Sequence, residues 1–471
     1  MASYETVIGI ETHVQLNTKS KLFCGCPVLF GAPPNSATCP VCLGHPGTLP
    51  VLNREAFEQG MKTALALGGT IAPFTKFDRK HYFYPDLPKN YQISQYDRPL
   101  AQDAEIRLGE KSIRILRIHL EEDAGKLVHE ENGTRSFVDL NRCGTPLAEI
   151  VTHPDLRSAE ETHLYLTQLK TTLQYAGVSD CDMEKGELRC DINISLRPQG
   201  ATELGVKAEI KNMNSFRFAR MAIACEEKRQ AAELDAGRRI ISETRLFDPD
   251  KNETRAMRSK EEAHDYRYFP EPDLPPVEVT QEWVTRCRET LPEMPAERRK
   301  RYETDFGIKP ANAEILTANR SWADFFESAT KLGTPSSIAK WMVNDLSRTL
   351  REEKKTISES QLSPEGLVEL IDLVEKGSIT AAVAKTLLPE LVRIEGKPSA
   401  LVEERGLAQI EDAGFLEEAV RSVMSEQSKA VSDFRGGKES TLQFLIGQVM
   451  RKTKGKANPK GAEEELRKQL G

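Results

Sequence analysis

The chain is expected to fold as an α+β protein, an antiparallel-sheet domain followed by an all-helical domain and a small helical tail. Three observations predict this. Several segments within the first 290 or so residues alternate apolar and polar positions with period two, as strands with one buried face do. Helix-patterned stretches separate them without a regular strand-helix-strand repeat, which favours an antiparallel sheet. From about Pro295 the pattern is helical, in ERRKRYETDFG, WADFFESATKL, SSIAKWMVNDLSRTLREE and SPEGLVELIDLVEKGSI. A length of 471 residues exceeds one ordinary core and the hydrophobic share is a modest 39%, so two or three domains are expected. We set them at 1–292, 293–406 and 407–471.

Taken in order, GIETHVQL places Ile8, Ile10, Val14 and Leu16 near one face of a strand and Glu11, His13 and Gln15 on the other. Next, Cys24, Cys26, Cys39 and Cys42 form CxC and CPVC pairs flanked by the turn residues Gly25, Pro27 and Pro40. Two such pairs suit a tetrahedral zinc ion, and four thiolates leave no open position, so the predicted zinc is structural and pins a loop over about 23–43. The other five of the nine cysteines, Cys143, Cys181, Cys190, Cys225 and Cys287, are scattered and read as reduced core residues. Helices are predicted over 54–67, 159–176 and 216–236. The run 79–91, with His81, Tyr82, Tyr84, Lys89 and Tyr91, is either a packed loop or a stacking surface.

In RIHLEEDAGK, His119, Glu121, Glu122 and Asp123 close another alternating strand. Parity sends Glu121 and Glu122 to opposite faces, so a bulge is needed if both serve one site. VDLNRCGTPLAEIV sets Asp139, Asn141, Arg142 and Glu149 among apolar residues, where charge is costly to bury without partners. LRCDINISLR alternates Leu188, Cys190, Ile192, Ile194 and Leu196 with Arg189, Asp191, Asn193, Ser195 and Arg197, and VKAEIKNMNSF sets Lys207, Glu209 and Lys211 opposite Val206, Ala208 and Ile210. Merely solvated strand faces usually mix Lys, Glu, Thr and Ser. These faces carry carboxylates, an imidazole, amides and arginines, which together point to a site. Carboxylates with one imidazole suit Mg²⁺ or Mn²⁺, and Arg142, Arg189, Lys207 and Lys211 are fitted to neutralise phosphate. Metal plus cationic clamps is the equipment of phosphoryl transfer, here without the P-loop sequence GxxxxGK[ST].

In the helical part, Ser363 reads as a helix start and Gly377 as a stop. Residues 434–471 hold nine Lys and Arg against four Glu in a chain whose net charge is -7. That overall charge argues against a generally basic RNA-coating protein, while the tail is either a solvated helix end or a contact for RNA phosphate. MASYETVIGIE has no signal pattern and no apolar run reaches membrane-spanning length, so a soluble cytoplasmic protein without a membrane partner is expected.

VDLNRCGTPLAEIV, HLEEDAGK, FDRKHYFYPDLPKNYQISQ, LRCDINISLRP, KAEIKNMNSFR, DYRYFPEPD and GQVMRKTKGKANP, together covering essentially the whole chain, resemble the B subunit of the tRNA-dependent amidotransferases. The resemblance implies a cradle similar to the glutamine synthetase and guanido kinase core, a helical domain and a tRNA-binding tail. It implies ATP- and Mg²⁺-dependent phosphorylation of the side-chain carboxylate of Glu-tRNA(Gln) or Asp-tRNA(Asn), then transamidation. Ammonia would come from an amidase partner, the A subunit, with a small C subunit holding the pair together. The non-discriminating synthetase is a further implied partner. On this basis Glu11, His13, Glu122, Glu149, Asp191, Glu209 and Lys211 are assigned to catalysis, with Mg²⁺ held by Glu11, His13, Glu121, Glu122 and Glu149. Asn141, Arg142, Arg189, Asn193, Tyr82 and Lys89 are assigned to nucleotide or substrate, and Arg451, Lys452, Lys454 and Lys456 to tRNA. The cysteine pairs are variable equipment in that family, and no amidase-type glycine and serine-rich stretch is present, so the chain is not expected to make its own ammonia. A free amino-acid ligase and a non-catalytic scaffold are the competing expectations.

Overall fold

A computed structural model describes residues 3–130, 133–211, 213, 215–259, 266–408, 413–453, 457 and 459–470. The chain divides into two compact units, Met1–Met294 and Pro295–Gly471. The composition change near Pro295 therefore coincides with this division.

The strands of the first unit are β1 (Tyr4–Gln15), β2 (Thr70–Ile71), β3 (Phe74–Thr75), β4 (Asp78–His81), β5 (Tyr91–Ser94), β6 (Ala101–Leu108), β7 (Lys111–Glu122), β8 (Lys126–His129), β9 (Ser136–Asp139), β10 (Pro146–Thr152), β11 (Leu188–Pro198), β12 (Ala208–Lys211), β13 (Glu243–Asp248), β14 (Glu253–Ser259), β15 (Phe269–Pro270) and β16 (Val277–Glu278). Nine form one sheet in the order β14-β13-β12-β11-β1-β10-β7-β6-β2. β1 lies inside the sheet, antiparallel to both β10 and β11. One junction departs from the expected antiparallel pattern, since β12 and β13 run parallel. Helix α3 (Phe216–Asp235) lies between them in the chain and supplies the long crossover that a parallel pair requires.

Period-two alternation decides what each face does. Ile8, Ile10 and Val14 of β1, Ile150 of β10, and Cys190, Ile192 and Ile194 of β11 are almost fully buried in one core. Helices α1 (Arg54–Ala66), α2 (Ala159–Ala176) and α3 (Phe216–Asp235) cover that face, adding Phe57, Met61, Tyr165, Leu169, Ala222 and Ile223 to the same core. Burying one such Leu or Phe side chain is worth about 1.5–3 kcal/mol, which sets these strands' orientation firmly. Local signals start each helix, because Asn53, Ser158 and Ser215 accept from the backbone N–H three residues on. The polar face is left to the site.

β7 contains the one irregularity of its pairing with β10. Val151 faces Arg117 and Thr152 faces Ile115, so Leu116 is skipped. Before the bulge Ile113 and Ile115 face the core, and after it Ile118 and Leu120 do.

The second unit is helical among its described residues. The Ser363 hydroxyl caps Pro364–Glu375 by accepting from Gly366 N–H at 3.1 Å, and Gly377 takes φ 73° just after it, as expected of a start and a stop. Helices Ala413–Glu426, Ser440–Lys452 and Pro459–Leu470 close a core of their own around Val420, Val423, Leu445, Val449, Leu466 and Leu470. Among the described residues no helix is long and apolar enough to cross a membrane.

Candidate active site

Strand register assembles the polar face. His13 on β1 lies opposite Glu149 on β10 and Arg189 on β11, and Glu149 lies opposite His119 on β7. His13 Nε2 is 3.3 Å from Glu121 Oε1 and 3.6 Å from Glu149 Oε2, and His119 Nε2 is 2.9 Å from Glu149 Oε2. Ligand atoms of His13, Glu121 and Glu149 all lie within 4.8 Å of one another. Two carboxylates and an imidazole at that separation fit a hard divalent cation, so the donor set passes the test for Mg²⁺ or Mn²⁺. Burial opposes charge on His13 and His119, but Glu149 and Glu121 outweigh it and raise their pKa values to about 10 and about 9. Both carboxyls are held well below the usual range by the two imidazoles despite burial.

Glu122 does not join this set. The register of residues 120–122 against β10 is regular, so no bulge brings Glu121 and Glu122 together, and the shift in β7 lies five residues earlier at Leu116. Glu122 instead pairs with Lys89 and accepts from Ile93 N–H at 2.9 Å. Lys89 is thereby committed to Glu122, and Gly44, at φ 69°, makes room for it, since a Cβ there would come within 2.4 Å of Lys89 Cγ. Glu11 sits one pleat beyond His13, opposite Asp191, and accepts from Asn193 Nδ2 at 3.0 Å. It too lies outside the three-residue cluster, whose members are the only described neighbours grouped with His13 in this way. Lys211 joins Asp191 at 3.0 Å and Glu209 at 3.2 Å, while Glu209 also accepts from Thr244 Oγ1 at 2.9 Å.

Beside Glu11 a solvent-open cleft is lined by Gly9, Glu11, Thr152, Asn193, Ser195 and Lys207 among others. Gly205 on its wall would place a Cβ 2.1 Å from the Leu196 carbonyl oxygen, so only glycine allows that approach.

Two expected substrate residues make bonds within the chain. Asn141 accepts from Ala37 N–H at 2.8 Å and donates to the Pro33 carbonyl at 2.7 Å. Arg142 donates to the carbonyls of Ala124 at 3.0 Å and Gly125 at 2.6 Å, and Arg189 pairs with Asp123 at 2.8 Å. Arg189 remains on the polar face beside His13.

The aromatic run splits by strand parity. Arg79 is bound to Glu271 at 2.7 Å and stacks over Tyr91 at 4.3 Å, and His81 stacks on Phe269 at 4.8 Å, so this side is packing. Lys80 takes the other side, its Nζ 5.0 Å from the Tyr266 ring and 5.9 Å from the Tyr82 ring. No carboxylate among the described residues is within ion-pair distance of it. Burial disfavours its charge, yet Glu121, Tyr268 and Glu149 keep its pKa raised. Sequence reasoning passed over Lys80, and did not assign His119; the period-two parity of RKHY was the available signal. Lys80→Met is expected to lower kcat of the reaction carried by this face by about 10²-fold, the usual worth of one charge poised at a reacting group. Steady-state kinetics showing less than a threefold fall would take Lys80 off the reaction path.

The four expected zinc ligands converge, with Sγ atoms of Cys24, Cys26, Cys39 and Cys42 within 4.8 Å of one another. Cys42 Sγ receives Cys39 N–H at 3.2 Å and the fully buried Lys21 ammonium at 3.6 Å. Hydrogen bonding from Cys24, with Lys21 nearby, pulls the Cys42 thiol down to about 4, against burial. Four converging sulfurs, one of them facing the Lys21 ammonium, fit zinc. All nine cysteines are free thiols, and of the other five Cys225 alone is only half-buried. In the tail, Arg451 is exposed, Lys452 is paired with Glu426, and Lys454 and Lys456 lie outside the described residues.

A polar sheet face with a metal-fitting triad has the make-up of an enzyme site, and comparison with known proteins gives the class. Residues 6–285 match the family model described as the GatB/GatE catalytic domain, and residues 324–470 match the GatB domain. The class is a tRNA-dependent amidotransferase, a ligase. Proteins named as the B subunit of aspartyl/glutamyl-tRNA(Asn/Gln) amidotransferase are similar to this chain from end to end. That of Carboxydothermus hydrogenoformans is 50% identical over 100% of this chain and 99% of its own length. That of Thermodesulfovibrio yellowstonii is 51% identical over 98% of each, and that of Geobacter sulfurreducens 49% over 99% of each. The chain belongs to the family of the B subunit of aspartyl/glutamyl-tRNA(Asn/Gln) amidotransferase.

Proposed function

We propose that this chain phosphorylates the side-chain carboxylate of Glu on tRNA(Gln), of Asp on tRNA(Asn), or of both, at the expense of ATP, and that ammonia then displaces the phosphate. The observation that carries the reading is the His13, Glu121 and Glu149 cluster on a sheet face that also presents Arg189 and adjoins the Glu11 cleft. Those three residues would hold Mg²⁺, which when bound offsets the charge that develops on the transferred phosphoryl group. His119 keeps Glu149 oriented through their 2.9 Å contact. Lys80 stands ready for phosphoryl or carboxylate oxygens, and the cleft takes the nucleoside.

A carboxylate oxygen attacks the terminal phosphorus of ATP as the bond to the ADP oxygen breaks, giving an acyl phosphate. The ammonia lone pair then attacks the acyl carbon, phosphate leaves with the C–O bonding pair, and the amide forms as nitrogen sheds a proton. The name of the relatives, one lettered part of a larger enzyme, supports an assembly with further proteins; in this reading they are an amidase (A) and a small one (C), and the assembly acts in the cytoplasm. The separate core of the last helices supports 407–471 as a tail domain, and the exposed Arg451 supports its contact with tRNA. One apolar, helix-covered face and one polar face support the cradle reading, and the thiolate cluster supports a structural zinc.

The test is to give the chain labelled ATP and Mg²⁺ with Glu-tRNA(Gln), Asp-tRNA(Asn) or free glutamate, with and without its amidase partners. ATP cleavage that requires charged tRNA is expected. Cleavage with free glutamate would make it a free amino-acid ligase, and none in the full assembly would make it a scaffold.

A further inference from the structure

The turn 138–145, made of the last two residues of β9 and the link to β10, grips two distant segments at once. On one side it fastens the thiolate loop. Asn35, held at φ 58°, donates its backbone N–H to Asp139 Oδ1 at 3.1 Å and its side-chain amide to the Val138 carbonyl at 3.0 Å, and accepts from Leu140 N–H at 2.8 Å. Asn141 adds its contacts to Ala37 and Pro33. Inside the loop, Lys21 ties the metal-fitting thiolate to the same segment, donating to the Ala37 carbonyl at 2.8 Å while facing Cys42. On the other side the turn fastens the end of β7. Asp123 and the turn exchange backbone bonds, Asp123 N–H to Thr145 O at 2.8 Å and Gly144 N–H to Asp123 O at 2.9 Å, and Arg142 clamps the next two carbonyls. The Asp123 carboxylate then holds Arg189, the residue opposite His13.

We propose that the thiolate loop is a positioning device for the reaction face: metal in its four cysteines stiffens residues 33–42, and the 138–145 turn passes that rigidity to Asp123 and Arg189. This rests on the polar face being the site of phosphoryl transfer. The geometry gives the turn leverage, because Glu121 lies two residues before Asp123 on one side of it and Glu149 four residues beyond Thr145 on the other. Loosening the turn frees both carboxylates of the cluster from a shared anchor, and small misplacements at a reacting centre are costly. Asn141 is a positioning residue in this scheme and touches neither substrate nor metal.

Asn141→Ala and Asn35→Gly, in the full chain with its partner proteins, test it. Each removes hydrogen bonds whose loss shifts a local opening equilibrium by about tenfold. Both variants are expected to keep the zinc content of the parent, to exchange the Asp123 and Gly144 amides about tenfold faster, and to lose about tenfold in kcat with KM for ATP within about twofold. Asn141→Asp, which keeps the bond from Ala37 and loses the one to Pro33, should fall between. Chelating the zinc should speed exchange at the same two amides as well as within 24–42. Unchanged exchange at Asp123 and Gly144 in the variants, or an effect of chelation confined to 24–42, would overturn the proposal. If the metal assay finds no zinc, the zinc reading alone fails, and the Asn141 variants still decide whether the turn transmits. If exchange responds but ATP cleavage never depends on charged tRNA, the fault lies with the proposed reaction instead.

Discussion

Glu149→Gln is expected to lower the ATP-dependent activation of the tRNA-bound carboxylate by about 10³-fold while leaving the amidase reaction of the partner protein intact. The figure is that of a residue stabilising charge in phosphoryl transfer. The substitution keeps the shape of the side chain and its place opposite His13 and His119, so the sheet is not disturbed. What it removes is a negative charge held by two imidazoles, 3.6 and 2.9 Å away. Glu122→Gln is the matched comparison, since that side chain lies on the other face with Lys89. A fall of less than about tenfold for Glu149→Gln in single-turnover assays with charged tRNA would remove it from the metal set, because even indirect supports of a metal site are worth about that much.

Deleting residues 407–471 is expected to weaken binding of tRNA by about 10²-fold at moderate salt, with kcat at saturating tRNA little changed. The charged part of the loss shows in the salt dependence, as each phosphate contact contributes about 0.7–0.9 to the slope of log affinity against log salt. The structure divides the basic residues unequally. Lys452 already has Glu426, Arg467 has Glu463 and Lys468 has Glu465, so these are partly neutralised within the tail. Arg451 is exposed at the end of Ser440–Lys452, and Arg451→Ala alone should lower the slope by about one. Filter binding over a salt series measures both, and an unchanged slope after deletion would take the tail out of the RNA footprint.

Much of the site was legible because a pleated strand writes its faces into every second residue. β1 from Ile8 onward and β11 up to Ile194 alternate without interruption, so Glu11, His13, Arg189, Asp191 and Asn193 fall on one face from the sequence alone. Apolar context misled at 139–142. Charged and amide groups among apolar neighbours do need partners, but those of Asn141 and Asp139 lie about a hundred residues away at 35–37, a separation no local pattern reveals. The parity of RKHY gave the face of Lys80 but not its surroundings, since its neighbour Tyr266 arrives only when β15 pairs with β4. Glu121 and Glu122 needed the register itself, and the bulge at Leu116 lies where it cannot unite them.

The place of β1 inside the sheet has a consequence for biosynthesis. It leaves the ribosome well before its two partners, residues 146–152 and 188–198. At about 5–20 residues per second, an apolar strand with both edges open waits on the order of ten seconds for its first neighbour. The backbone edges of β1 are therefore without their sheet neighbours for that interval of synthesis, long before the helical unit is made.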